Sequence, residues 1–182
     1  VEPTMHEENK LDRSFKAILK VVKFSIVDSK KLRWLIIYSS AMGVATLSMA
    51  WFAQPFFKEV AVPLAYFGVL WAGLNFSAGL TSFNAYQFDK KENNYKMLIY
   101  LSLAMVMSFI LLGFNSSMYG LIFILIIYLL RGIITPILRN AINENTTSNK
   151  RATVLSIRSF IIRISFATCA PILGYIAENY GL

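Results

Sequence analysis

An all-helical integral membrane fold is what this sequence predicts, and three observations lead to it. Stretches 34–57, 60–88 and 97–130 contain no charged residue at all. A hydrocarbon core of ~30 Å needs roughly 20 apolar helical residues, so each stretch is long enough to cross a bilayer. Apolar residues make up 56% of the chain and charged ones only 15%, a balance outside the usual range for a soluble domain. The basic residues, finally, are distributed unevenly along the chain and alternate between its connecting segments.

The first span is read over 34–57 and the second over 63–88. The third stretch holds 34 residues, about 50 Å as one helix, and must fold back. Its polar break is Asn115-Ser116-Ser117 after Gly113, a turn-forming cluster that divides it into spans at 97–114 and 118–138. A fifth span, 152–177, is apolar apart from Arg158, Arg163 and scattered small polar residues.

Eight of the 18 Lys and Arg residues precede the first span, from Lys10 to Arg33. The next connection has Lys58, the one after it Lys90, Lys91 and Lys96, the turn at 115–117 none, and the last Arg139, Lys150 and Arg151. The alternation predicts a cytoplasmic amino terminus and, after five crossings, a carboxyl terminus on the opposite face. It also assigns the net charge of +8 to topology and argues against a nucleic-acid partner. Within the leader, residues 1–33, the segment 13–27 is read as a basic amphipathic helix. Phe15, Ile18, Leu19, Val22 and Ile26 form its apolar stripe and Lys16, Lys20 and Lys23 lie off it, a pattern that rests at the headgroup boundary of the lipid bilayer.

The chemistry of the side chains excludes several function classes. One cysteine, Cys169, rules out an internal disulfide or thiolate metal cluster, and the lone His6 sits in the charged leader. All ten acidic residues lie in the leader, in loops or at span ends, so no carboxylate inside the spans is placed to carry a proton. No span offers paired carboxylates, a histidine cluster or a nucleophile with its base, so neither an enzyme nor a bound cofactor or metal is expected. The opening Val1-Glu2-Pro3 lacks an initiator methionine and a signal-peptide pattern, as in a piece of a longer chain.

The spans are not equally lipid-like. Met97 to Phe114 carries few polar groups and suits a helix surrounded by lipid. The second span places Trp71, Asn75, Ser82 and Tyr86 on one stripe that must face protein or water, and its small pairs Gly68/Ala72 and Gly73/Ser77 would admit a neighbouring helix. The fourth shows Tyr128, Arg131, Thr135 and Arg139 on one face, and the fifth aligns Ser156, Ser159, Arg163 and Ala167. Arg163 lies eleven residues beyond Ala152, about 16 Å deep and close to the midplane, where an arginine costs at least ~2.5–3.5 kcal/mol without a partner or water. Both a structural role, satisfied by carbonyls or by snorkelling, and a place on a solute pathway are open to it. Arg158, nearer the cytoplasm, fits the structural role.

The run Arg131-Gly132-Ile133-Ile134-Thr135-Pro136-Ile137-Leu138-Arg139-Asn140, the segment Arg151-Ala152-Thr153-Val154-Leu155-Ser156, and the run from Pro171-Ile172-Leu173-Gly174 to Tyr180-Gly181 resemble helices ten and eleven of major facilitator superfamily transporters. The leader is similar to the cytoplasmic linker between that family's halves. The resemblance implies that 34–182 is part of a six-helix carboxyl-terminal half-bundle, helices seven to eleven. An amino-terminal half and a twelfth helix would then complete the permease in the cell membrane. It implies secondary transport of a small-molecule solute by alternating access, in a manner similar to the drug and proton antiporter branch. Trp71, Asn75, Arg131, Ser156, Ser159 and Arg163 become candidates for the solute pathway, and Asp89 and Arg139 for a cytoplasmic gate. The family's gating signature between helices eight and nine is degenerate here, because Gly79 is distant from Asp89-Lys90-Lys91. A second class, a self-contained scaffold or channel-like subunit that oligomerises through its glycine-bearing faces, stays open. An upstream half in the parent reading frame would support the first class, and a start codon directly before Val1 the second.

Overall fold

The structure, a computed structural model, describes residues 18–89 and 94–180. Among these the regular structure is helical, with five long helices: α1 (Lys30–Glu59), α2 (Phe67–Asp89), α3 (Asn94–Gly113), α4 (Gly120–Glu144) and α5 (Arg151–Tyr180). Each is long and apolar enough to cross a membrane. These five helices match the five spans read from the apolar runs, with boundaries set by local chemistry as well as by hydropathy.

Helix α1 begins four residues before the apolar run at Trp34, because Ser29 caps it: its side chain accepts a hydrogen bond from the Leu32 N–H at 3.3 Å. At the other end the Ala61 N–H donates to the Lys58 carbonyl at 3.1 Å and the Val62 N–H to the Phe57 carbonyl at 2.9 Å. Ala61 takes φ 56°, so the helix closes in a Schellman turn with alanine where glycine is usual. Val62 packs back beside Phe57, and Pro63 stops the helix from continuing. The polar break at 115–117 is the turn between α3 and α4, held by Ser117 Oγ on Asn115 Oδ1 at 2.7 Å and by the Gly120 N–H on the Ser117 carbonyl at 2.8 Å. Helix α4 runs on through Pro136 to Glu144, beyond the limit at 138 that composition predicts. Its end is tied to α5 by Arg151, whose Nε donates to the Asn143 carbonyl at 3.1 Å and the Thr146 carbonyl at 3.3 Å.

Helix α4 is the hub and packs on the other four. Its Ile124, Ile127 and Tyr128 meet Met49, Ala53, Phe56 and Phe57 of α1 and Leu74 of α2 in one buried cluster. A turn or two further on, Ile134, Ile137 and Leu138 meet Leu98 and Met105 of α3. Near its end, Ile142 joins Leu32, Leu35 and Ile36 of α1 and Val154 of α5. In a bilayer such contacts are driven by packing and hydrogen bonds, since lipid tails are as apolar as the side chains. Helix α3 gains one of those hydrogen bonds through Tyr38 of α1, whose hydroxyl reaches the Leu98 carbonyl at 3.1 Å and also meets Ser102 Oγ.

One sequence expectation is corrected. The close approach on α2 does not use Gly68/Ala72 or Gly73/Ser77, for space around Gly68 and Gly73 is open. It uses Gly132 of α4, which lies against the Ala78 backbone and Thr81; the Thr81 hydroxyl donates across to the Leu129 carbonyl at 3.0 Å. The third span keeps a largely exposed apolar surface, as a helix in lipid would, though it is not the least enclosed of the five. Helix α5 is, because it lies along α1, touches α4 only lightly and leaves its far side open. In the leader, the face opposite the expected apolar stripe is the one that packs on the bundle. Residues 18–23 are helical and wind into a π-turn at Phe24–Asp28, which takes one more residue than an α-turn. Val21, Phe24 and the buried Ser25 face the bundle, while Ile18, Leu19 and Ile26 are exposed on the other side. Phe15 and Lys16 lie outside the described residues.

Candidate functional site

Two polar surfaces remain after the core is accounted for. The first is a cleft of about 270 Å³ between α2 and α4, lined by Asn75 and Ser82 on one side and by Arg131, Thr135 and Arg139 on the other. Arg131, Thr135 and Arg139 are spaced i, i+4, i+8 and so share one helix face. Gly132 sets the width of the cleft, because only a residue without a Cβ lets α4 come so near the Ala78 backbone. Asn75 is held by its own helix, its Nδ2 donating to the Trp71 carbonyl at 2.9 Å.

Trp71 stands beside the cleft in a ring stack. Its indole meets Tyr128 edge to face, with centroids 6.0 Å apart at 76°, and the Arg131 guanidinium lies over the Tyr128 ring at 5.5 Å. A cation on an aromatic face gains ~0.5–2 kcal/mol, more where water is scarce. Tyr128 is buried, and its hydroxyl has no hydrogen-bond partner among the described residues. Two guanidiniums whose Cα atoms are about 12 Å apart on one helix repel by on the order of 1 kcal/mol at an effective dielectric of ~20. No carboxylate lines the cleft among the described residues.

The second is a polar strip on the open side of α5, beside the exposed Phe160 and Ile164. Ser156, Ser159 and Arg163 are all exposed there, turned away from α1. The opposite side of α5 carries the contacts: Arg158 with Ser39, Ile162 over Gly43, and Phe166 against Trp51, stacked with centroids 6.1 Å apart. Arg158 is buried, its Nε donating to Ser39 Oγ and its Nη2 to the Ser39 carbonyl at 3.5 Å. The two arginines of the fifth span thus divide, one satisfied inside the bundle and the other presented outward.

The structure therefore brings Asn75, Arg131 and Arg139 into one cleft with Trp71 beside it, and sets Ser156, Ser159 and Arg163 on a separate helix face. Asp89 closes α2, and its side chain lies outside the described residues, as do Lys90 and Lys91. Ser39 escaped the sequence reading because nothing in its own span marks it; only the distant Arg158 gives it a role. No group of His, Cys, Asp or Glu that could hold a metal ion occurs among the described residues.

Five membrane-length helices gathered on one hub suggest an integral membrane protein of the all-helical, multi-span class. Comparison with family models, with curated proteins and with solved structures gives no match that would place the chain in a particular family.

Proposed function

We propose that this chain forms part of a secondary transporter of the major facilitator type, with α1 to α5 corresponding to helices seven to eleven of the carboxyl-terminal half. The observation that carries the reading is the outward face of α5. An arginine twelve residues into a membrane-length helix, flanked on the same face by Ser156 and Ser159 and directed away from the bundle, has no place against lipid tails. A second half facing it across a watery cavity gives that face a suitable surrounding. The polar α2–α4 cleft, in the helices that would line the same cavity, supports the reading independently.

In this reading the leader lies on the cytoplasmic surface. Its exposed Ile18, Leu19 and Ile26 dip toward the acyl region while Lys20 and Lys23 meet headgroups. The solute is small, the protein sits in the cell membrane, and Arg163 meets either an anionic group of the solute or a carboxylate of the opposite half. The bidentate fork of arginine suits both.

Solute flux in the full-length parent tests the proposal. Arg163→Ala is expected to abolish flux at near-normal membrane abundance, with partial rescue by Arg163→Lys. Arg158→Ala is expected to lower abundance first, since that guanidinium is held inside the bundle. Unchanged flux in Arg163→Ala overturns the pathway role.

A further inference from the structure

We propose that the α2–α4 cleft is a binding site for a small oxyanion, a phosphate or a similarly compact anionic group. The inference deepens the transport reading, on which its physiological meaning rests, by naming the ligand class; the binding itself follows from the geometry of this chain. Arg131 and Arg139 line the same face of α4 at i and i+8, with the Thr135 hydroxyl between them. Asn75 and Ser82 of α2 close the cleft from the other side. Every charged side chain of the lining is cationic, and every uncharged polar one can donate a hydrogen bond.

Position makes this arrangement more than a basic patch. Arg131 lies eleven residues into α4, about 16 Å from its start, and its cation is therefore at hydrocarbon depth. Ionisable groups at that depth pair with an opposite charge or line a watery path. Among the described residues the only charge-related contact of Arg131 is the Tyr128 ring, which accepts the cation on one side and leaves its hydrogen-bonding edge free for a ligand. Arg139, two turns nearer the cytoplasmic end, marks the entrance, and the Thr135 hydroxyl provides an intermediate donor. The volume of about 270 Å³ is ample for a phosphate-sized ion. An oxyanion between the arginines would replace their repulsion with two charge-assisted contacts, bidentate where the fork is aligned.

The stack of Trp71, Tyr128 and Arg131 supplies the reporter. With Trp34 and Trp51, both exposed, replaced by phenylalanine, Trp71 becomes the sole tryptophan. The purified chain in maltoside micelles, which contain no phosphate, is titrated with inorganic phosphate at ionic strength fixed with chloride, and separately with micelles doped with phosphatidylglycerol. A saturable change in Trp71 emission is expected, at least tenfold weaker in Arg131→Gln and in Arg139→Gln, and intermediate in Arg131→Lys. Saturation by free phosphate assigns the site to a soluble anion; saturation by the lipid alone assigns it to a headgroup; either result supports the oxyanion chemistry. Absence of a saturable change with both probes overturns the inference, as does equal affinity in parent and both glutamine variants. Circular dichroism confirms the helical content of each variant, and if a glutamine variant unfolds, the parent titration with sulfate as competitor decides, since a true oxyanion site releases phosphate to it. Binding without flux in the parent would remove the transport reading alone, and flux without binding would remove this inference alone.

Discussion

The Arg158 guanidinium rests on Ser39, donating through Nε to the hydroxyl and through Nη2 to the backbone carbonyl of the same residue. This pair joins α5 to α1 at a buried point. Ser39→Ala is therefore expected to lower stability by about 1–2 kcal/mol, between the value for hydrogen bonds to charged groups and the smaller average found inside membranes. Unfolding by graded addition of dodecyl sulfate to maltoside micelles measures it. The double variant Ser39→Ala/Arg158→Met should lose less than the sum of its single variants, because it removes the buried charge along with its partner. Simple additivity would mean that the contact carries no coupling.

Gly132 sets how closely α4 approaches α2. A methyl group there would collide with the Ala78 carbonyl and the Thr81 hydroxyl, and backbone cannot yield as a flexible side-chain tip can. Gly132→Ala is expected to cost about 1–3 kcal/mol, the usual range for overpacking, and to widen the oxyanion cleft. Gly73→Ala, at a position open to 4 Å, serves as the comparison and should be neutral or slightly stabilising. The same unfolding titration ranks the two, and equal midpoints would refute the close approach.

Ala61 occupies a backbone conformation that glycine adopts without steric cost, φ 56° at the end of α1. Ala61→Gly should raise stability by about 0.5–1 kcal/mol, the relief of a left-handed alanine less the added freedom of glycine in the unfolded chain. Ala61→Val should lower it, since β-branching crowds that region further. A lower unfolding midpoint for the glycine variant would mean that the Schellman turn is not the end of the helix in the membrane.

The orientation of the whole chain is open to a direct test. In a Cys169→Ser background, cysteine at Ser117, in the turn between α3 and α4, should react with an impermeant maleimide added outside intact cells, while cysteine at Ser148, in the turn before α5, should react only after permeabilisation. The reverse pattern would place the basic connections outside and contradict the charge alternation.

How far the sequence discloses this architecture depends on the range of the interaction. The turn at Asn115-Ser116-Ser117 is visible because its signal is local, a polar cluster within an apolar run. The extension of α1 back to Lys30 is subtler but also local, since Ser29 stands in capping position. Gly132 against Ala78, by contrast, needs to know which helix α2 meets, and the glycine-bearing pairs at 68/72 and 73/77 make an equally good local case while facing open space. In the leader the stripe at Ile18, Leu19 and Ile26 faces outward as an ideal wheel has it, while the burial of Ser25 against the bundle, brought about by the π-turn, has no local signal. For the site, the cationic face Arg131–Thr135–Arg139 could be read from spacing, whereas its pairing with Asn75 and Ser82, and the separation of Arg163 from them, follow from how the helices pack.

The central place of α4 bears on the order in which this protein can assemble. Spans leave the ribosome in sequence, yet the backbones of α1, α2 and α3 come closer to α4 than to one another. Until the segment Gly120–Glu144 arrives, three hydrophobic rods share the bilayer, with α1 and α3 linked through Tyr38. Their gathering is expected to be completed only by the fourth insertion, and a chain stalled before residue 120 should expose more helix surface to quality control than the finished bundle does. Substitutions in α4 should for that reason act on biogenesis as a whole, lowering the yield of every span at once.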